Sequence, residues 1–342
     1  MEFWLHGFPT VGFTRDWAVR AEAAGFTGVL LADSETLVAD PYVELAVASV
    51  ATERIGLGVA VTNPVTRHPA VTAAAIASVH LESGGRGVLG FARGDSALRQ
   101  LNLKPATMPV FRQALIDLQR YLGDTQPAIT ADASGAQPLS WLPAGVPKVP
   151  VDVAATGPEA IAVGAVHGDR LTFNLGADLD RLRWAITHAR DARTQAGLDP
   201  AAISLGAYVD VACAPTEDAI TQVRGSASIF ANFLAEGMRA GVPVSPEDAA
   251  VLSLVGASYS EAQHGQTTAP QAQLLPDDFL QRFALCGPSD ALIDRVRALQ
   301  HLGLDRLVVV PASRNVDPHA TAASVAAFAR DVIPAIQPRS KK

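Results

Sequence analysis

The chain has 342 residues, 49% of them apolar and 18% charged, which is ample material for a large core and excludes a wholly disordered chain. Its 27 basic and 34 acidic residues leave a net charge of −7. Only Lys104, Lys148, Lys341 and Lys342 are lysines, so no basic block exists to neutralise phosphates, and a nucleic-acid partner is excluded.

Short apolar runs alternate with Ala-rich stretches of helical length, the mark of βα units around a parallel sheet. Phe3 to Phe8 reads as a first strand, and Arg15 to Ala24 as a helix stopped by Gly25. Gly28 to Ala32 is apolar throughout, as a strand buried on both faces must be. Pro41 to Thr52 is a helix with Asp40 as N-cap and Pro41 at its first position. Ile55 to Val61 and Gly87 to Ala92 are the next strands, separated by a helix from Pro69 to Leu81, and Met108 to Leu122 is helical. The Pro-, Gly- and Ser-rich stretch from Gly123 to Pro150 is too long for a bare connection and reads as an insertion.

The alternation resumes with strands at Val151 to Ala155, Arg170 to Leu175 and Ile203 to Ala212. Helices follow at Pro158 to His167, Leu179 to Ala196 and from Glu217 onward. Met238 to Phe283 is irregular and polar, a second insertion. Leu292 to Leu302 is a helix closed by Gly303, Leu307 to Val310 the eighth strand, and Thr321 to Val332 the last helix. Eight strands favour an α/β fold closed as a (β/α)8 TIM barrel over an open sheet: one domain over residues 1–335, with both insertions at the carboxyl-end rim and a disordered tail over 336–342. At least one insertion is expected to cover the barrel mouth. Cys213 and Cys286 are too far apart for a disulfide framework or metal knuckle. No apolar run reaches 18 residues and the N-terminus carries no signal pattern, so a cytoplasmic protein with no membrane partner is expected.

Active sites of βα barrels lie at the carboxyl ends of the strands. That points to His6 after the first, Asp33 and Ser34 after the second, and Thr62-Asn63 after the third. Arg93-Gly94-Asp95 follows the fourth, Thr156-Gly157 the fifth, and Asn174-Leu175-Gly176 the sixth. Gly157 and Pro158 together form an anion-binding helix start, although an ordinary N-cap explains the same residues. Asp33 and Asp95 could bond a ligand's ring nitrogens or move protons; an N-cap role is the simpler alternative for either one. Trp4 and His6 alternate with Phe3 and Leu5, so one of these pairs points into the barrel. No helical His pairing, P-loop, dinucleotide fingerprint or GxSxG elbow is present, and no metal is expected; a metal held by His6, Asp33 and Asp95 stays open.

The run Gly58-Val59-Ala60-Val61-Thr62-Asn63-Pro64-Val65-Thr66-Arg67-His68-Pro69 resembles the third-strand segment of bacterial-luciferase-like flavin and deazaflavin oxidoreductases, in the form seen in the methylenetetrahydromethanopterin reductase branch. Leu89-Gly90-Phe91-Ala92-Arg93-Gly94-Asp95 and Ala154-Ala155-Thr156-Gly157-Pro158 resemble later motifs of that branch. The resemblance implies an oxidoreductase, a homodimer, that moves a hydride between coenzyme F420 and a small-molecule substrate. The alternatives are an FMN-dependent monooxygenase and a silent flavin-binding protein. It further implies a cis peptide at Ala60-Val61 behind the cofactor ring. Asp33, Thr62, Asn63, Arg93 and Asp95 would touch the ring and ribityl chain, and Ala155, Thr156, Gly157, Asn174, Leu175 and Gly176 the phosphate region. Asp33, Asp95 and His6 are the catalytic candidates. Ser34 stands where sugar-phosphate-oxidising members have His, and Ala177 where they have Lys, which argues against a sugar phosphate.

Overall fold

Eight parallel strands close into a barrel in the computed structural model, which describes residues 1–124, 126 and 135–337. The barrel strands are β1 (Glu2–Gly7), β2 (Gly28–Leu31), β3 (Gly56–Thr62), β4 (Gly87–Phe91), β5 (Val151–Ala155), β6 (Arg170–Phe173), β7 (Ser204–Cys213) and β9 (Arg306–Pro311). β1 to β6 pair in sequence, β9 lies between β1 and β7, and β7 pairs back to β6. A short strand absent from the sequence reading, β8 (Leu285–Gly287), adds to the upper end of β7, pairing Val211 with Leu285.

The helix signals behave as their chemistry requires. Asp40 accepts hydrogen bonds from the Tyr42 and Val43 amides at the start of α2 (Pro41–Ser49), with Pro41 inside the first turn. Gly25 ends α1 (Thr14–Ala24) at φ 93°, conformation that a side chain would oppose. The remaining outer helices are α3 (Pro69–Glu82), α5 (Met108–Tyr121), α6 (Pro158–His167) and α7 (Leu179–Gln195), with a short α4 (Ser96–Gln100) after β4.

Strand parity separates two cores. Phe3, Leu5, Val29, Leu31, Val151 and Val153 face the helices, whereas Trp4, Leu30, Val88, Ala154, Tyr208 and Val308 fill the barrel. The inward pair on β1 is therefore Trp4 and His6. Trp4 closes the lower barrel, and only glycine fits opposite it: a Cβ on Gly28 or Gly56 would lie 2.1 or 2.4 Å from its indole. Beside it Arg306, 1% exposed, pairs with Asp152 at 3.2 Å and donates to Thr172. β3 bulges between Val59 and Thr62, with a cis peptide at Ala60-Val61. A Cβ on Gly90 would stand 2.0 Å from the Val59 carbonyl oxygen, so the bulge and Gly90 require each other.

Two expectations about the insertions need correction. The segment up to Pro150 follows a helix and precedes a strand, which places it at the amino end. There Lys148 bonds Asp169 and the Pro147 carbonyl meets His80, far from the rim; residues 125 and 127–134 of it lie outside the described residues. The second excursion is at the rim but starts earlier, and it is not irregular. The helix expected in the outer ring, α8 (Thr216–Arg239), instead runs along the carboxyl end of the barrel. Its Gly225 and Ser226 amides donate to Ser313 beyond β9, and Gly237 packs on Thr156 beyond β5. α9 (Pro246–Ala257), α10 (Pro270–Gln273) and α11 (Asp277–Phe283) follow, and α12 (Ser289–Leu302) is the outer helix before β9. α13 (Pro318–Ala327) continues through a π-helical turn, Phe328–Val332, into a last short helix, Ile333–Ile336, so the expected tail begins in helix with Ile336 buried; 338–342 lie outside the described residues.

Candidate active site

Three groups of side chains stand at the carboxyl ends of the strands. The first joins β2 and β3. Asp33 is buried, 3.7 Å from the Arg67 guanidinium, and Arg67 in turn bonds Asp40 at 2.5 Å and lies over the Tyr42 ring. Burial pushes the Asp33 carboxyl above its usual range, opposed by the Thr62 hydroxyl and Arg67. Asp33 Oδ2, Thr62 Oγ1 and the Tyr42 hydroxyl are buried facing one another and Arg67 with no well-formed hydrogen bond, and Ser34 Oγ and Thr66 Oγ1 are buried without a hydrogen-bond partner. Buried polar atoms are rarely left so, and a row of them beside the bulge fits the polar edge of a heterocyclic ring. Asn63 is spent locally, its Oδ1 accepting from the Val65 and Thr66 amides.

The second group lies in the barrel. His6 meets the Ala60 backbone, and burial lowers its imidazole to about 4, so it is neutral at pH 7. Register places in the same layer, two strands away across β9, a carboxylate that sequence reading missed. Leu5 pairs with Val309 and Asp210 with Val310, so His6, Val310 and Asp210 form one inward layer on adjacent strands. Asp210 is 1% exposed, burial pushes its carboxyl to about 7 against the Ser226 hydroxyl, and its Oδ1 has no partner. The signal was present: a carboxylate inside the apolar run Tyr208 to Ala212, at the same parity as Tyr208. Phe230 of α8 stacks on Tyr208 and packs edge-on against Phe233, forming an aromatic wall above this layer.

The third group bridges the mouth. Asp95 stands at the N-cap position of α4, but its side chain makes no cap bond; it pairs with Arg99 at 2.6 Å. Arg99 also holds Glu236 of α8 at 2.5 Å and Glu261 of the second excursion at 3.2 Å. Burial, against the pull of Arg99, raises the Asp95 carboxyl to about 7, with Glu236 and Glu261 adding to the rise. From Glu261 the chain reaches His264, whose Nδ1 lies 2.8 Å from the Tyr259 hydroxyl, and then Arg314 and Asn315 beyond β9. β4 and β9 are on opposite sides of the barrel, so this segment spans the mouth.

The remaining candidates are dispersed. Arg93 donates to the Ala106 carbonyl. Thr156 and Gly157 meet the last turn of α8, and Gly157 caps α6 with no side-chain bond, leaving its first amides available. Asn174 has a buried, unpartnered Oδ1. Ala155 and Leu175 face the outer core, and Gly176 turns at φ 69° against Phe283. His6, Asp33 and Asp95 belong to three separate groups, and no cluster of three or more metal-ligating side chains occurs among the described residues. Nor is any helix among them long and apolar enough to cross a membrane.

The family model for luciferase-like monooxygenases matches residues 4–306. A 5,10-methylenetetrahydromethanopterin reductase of Methanolobus tindarius is 26% identical over 302 residues, covering 85% of this chain and 88% of the relative. Among solved structures, the coenzyme F420-dependent tetrahydromethanopterin reductase of Methanopyrus kandleri gives a TM-score of 0.73 at 19% identity, over 97% of this chain and 98% of that one. An F420-dependent secondary alcohol dehydrogenase, in complex with an F420-acetone adduct, gives 0.70 at 17% over 98% and 99%. At such identities the solved structures establish the shared barrel.

Proposed function

The chain belongs to the luciferase-like monooxygenase family, and from that premise we propose an oxidoreductase that exchanges a hydride between coenzyme F420 and a small organic substrate. The observation that carries this reading is the group of buried polar atoms without well-formed hydrogen bonds at the carboxyl ends of β2 and β3, beside the Ala60-Val61 bulge. Asp33 and Thr62 would hold the polar edge of the ring, with Ala60 and Val61 behind it. Asp95 would meet the ribityl chain, and the free amides after Gly157, with Asn174, the phosphate region. When bound, the deazaflavin supplies a carbon that gives or takes a hydride.

His6 and Asp210 supply the rest. His6, a neutral imidazole, and Asp210, a carboxyl pushed up to about 7, stand in one inward layer on either side of Val310, and either would hold the proton that accompanies a hydride at a substrate oxygen or nitrogen placed between them. The aromatic wall of Phe230 keeps water from that proton. The reading also takes the protein as a homodimer, docked through the exposed stripe of Val43 and Val47 on α2 and Val50 just beyond it; sedimentation equilibrium of Val47→Asp, expected monomeric, tests that contact.

Absorbance titration of the purified protein with F420 and with FMN tests the cofactor. Saturable binding of F420, and its oxidation or reduction with substrate, is expected. Preferential FMN binding with oxygen uptake would establish the monooxygenase alternative; binding with no turnover would establish the silent one. Asp95→Ala is expected to weaken F420 binding about ten- to a hundredfold through loss of a charged hydrogen bond, with the fold retained. An unchanged dissociation constant removes Asp95 from the cofactor site.

A further inference from the structure

We propose that the substrate of this site is an uncharged molecule with an extended apolar body, captured by an apolar rim that the loops after β1, β2, β3 and β4 build around the mouth. This rests on the oxidoreductase reading above and adds the substrate class. Phe8 and Val11 follow β1, Leu37 follows β2, Val65 follows β3, and Leu101 and Leu103 follow β4; all six side chains are exposed. Single exposed apolar residues are ordinary, but a set gathered on four neighbouring loops marks a binding surface. The loops adjoin one another: the Ala39 amide donates to the Pro9 carbonyl, Arg67 ties the β3 loop to Asp40, and Gly94 packs on Asn63.

The rim is continuous with the chemistry. Phe8 packs edge-on against His6 with ring centroids 5.7 Å apart, and His6 faces the Ala60 backbone inside the barrel. Phe230 and Phe233 of α8 form the opposite wall. The polar groups between these walls do not invite a charged substrate. His6 is neutral, Arg67 and Arg99 are engaged by carboxylates, Arg93 donates to the Ala106 carbonyl, and Lys104 is exposed to solvent. An apolar chain can thus lie along the rim with one reducible group beside His6. The exposed stripe on α2 belongs to the outer face and is separate from this rim.

The reaction fixes a usable probe. In the reductive direction a ketone carbon takes a hydride from reduced F420 and its oxygen a proton, giving a secondary alcohol and oxidised cofactor. With F420-loaded protein and unbranched methyl ketones from butan-2-one to dodecan-2-one, kcat/KM is expected to rise about two- to fourfold per methylene until the rim is filled. The charged 4-oxopentanoate is expected to react at least tenfold worse than pentan-2-one. Leu37→Asp and Val11→Asp flatten the chain-length dependence, and Leu37→Met preserves it. A flat series in the wild type overturns the proposal.

Displacement of the fluorescent probe N-phenyl-1-naphthylamine by the same ketones gives a readout without turnover. Displacement that strengthens with chain length, in protein that never oxidises reduced F420, supports the apolar site and removes the hydride reading. Turnover without any chain-length effect on displacement does the reverse. Two further outcomes overturn the substrate assignment: binding to phosphatidylcholine vesicles that Val11→Asp abolishes, or a self-association that Leu37→Asp dissolves.

Discussion

The two halves of the barrel mouth solve different problems. On the side of β5 to β9 a long excursion covers the strand ends: α8 seats Gly225 and Ser226 on Ser313 and Gly237 on Thr156, and buries Asp210 beneath it. On the side of β1 to β4 the only helix is the short α4 after β4, and the loops carry apolar side chains that face solvent. The covered half fixes a few buried polar groups in place. The open half presents a surface whose identity can change without disturbing the fold. Buried polar groups are fixed in both halves, Asp210 under α8 and Asp33 with Thr62 on the open side, and Arg99 is where the halves are tied together.

Breaking that tie has the largest expected effect. Arg99→Ala leaves Asp95, Glu236 and Glu261 facing one another with no cation, so the segment around Glu261 should detach from the β4 rim. Protease cleavage within residues 258–268 is expected to rise at least tenfold. The stability loss is about 1–3 kcal/mol, below the ~3–5 kcal/mol for a fully buried broken pair because Arg99 is partly exposed. The loss is greater at pH 8, where Asp95 is ionised, than at pH 5. Unchanged cleavage would mean that the cover is held by the contacts of α8 alone.

Asp210→Asn probes the covered half. The native carboxyl binds its proton up to about pH 7, whereas in the unfolded chain it releases it near 4. Its stabilising contribution is therefore lost as pH rises from about 4 to about 7. The asparagine variant has no such loss, so its advantage in urea melts should grow across that window, reach a few kcal/mol at most, and stay constant above it. His6 works in the opposite sense. Its lowered imidazole makes the fold lose stability as pH falls from about 6.5 toward 4, and the variant should expose that slope. If Asp210 also passes the substrate proton, the same variant loses kcat more than KM; parallel melts with wild type at every pH would refute the buried-acid description.

Leu37→Asp makes the complementary point in the open half with the smallest effect. An exposed loop side chain is expected to change stability by less than about 0.5 kcal/mol. A melting temperature several degrees lower would show that the rim is packed and not free.

Much of this was legible in the sequence. Pro41 behind Asp40, Gly25 and Gly303 at helix ends, and the apolar runs of β2 and β4 set the elements, because local chemistry and burial agreed at those places. The motif around Ala60 placed the bulge. Other features depended on tertiary facts that local patterns do not carry. α8 has the amphipathic face of an outer helix, and only its partners Ser313 and Thr156 reveal that it lies across the mouth. Arg99 and Glu236 are 137 residues apart in the chain. The first insertion was assigned to the wrong end although its order, after a helix and before a strand, already placed it opposite the rim. Asp210 could have been found by parity, but register with His6 is what gives it meaning.

The floor of the barrel limits how such a protein can drift. Asp152 and Arg306 are both buried and bonded to each other and to Thr172. Losing one leaves an uncompensated charge, at a cost of ~3–5 kcal/mol, whereas replacing both with apolar residues of similar volume can be neutral. Every single-step path away from the pair therefore passes through a badly damaged intermediate. Exchange at these two positions is therefore expected to be joint, whereas exposed Leu37 or Val11 can change singly at little cost to the fold.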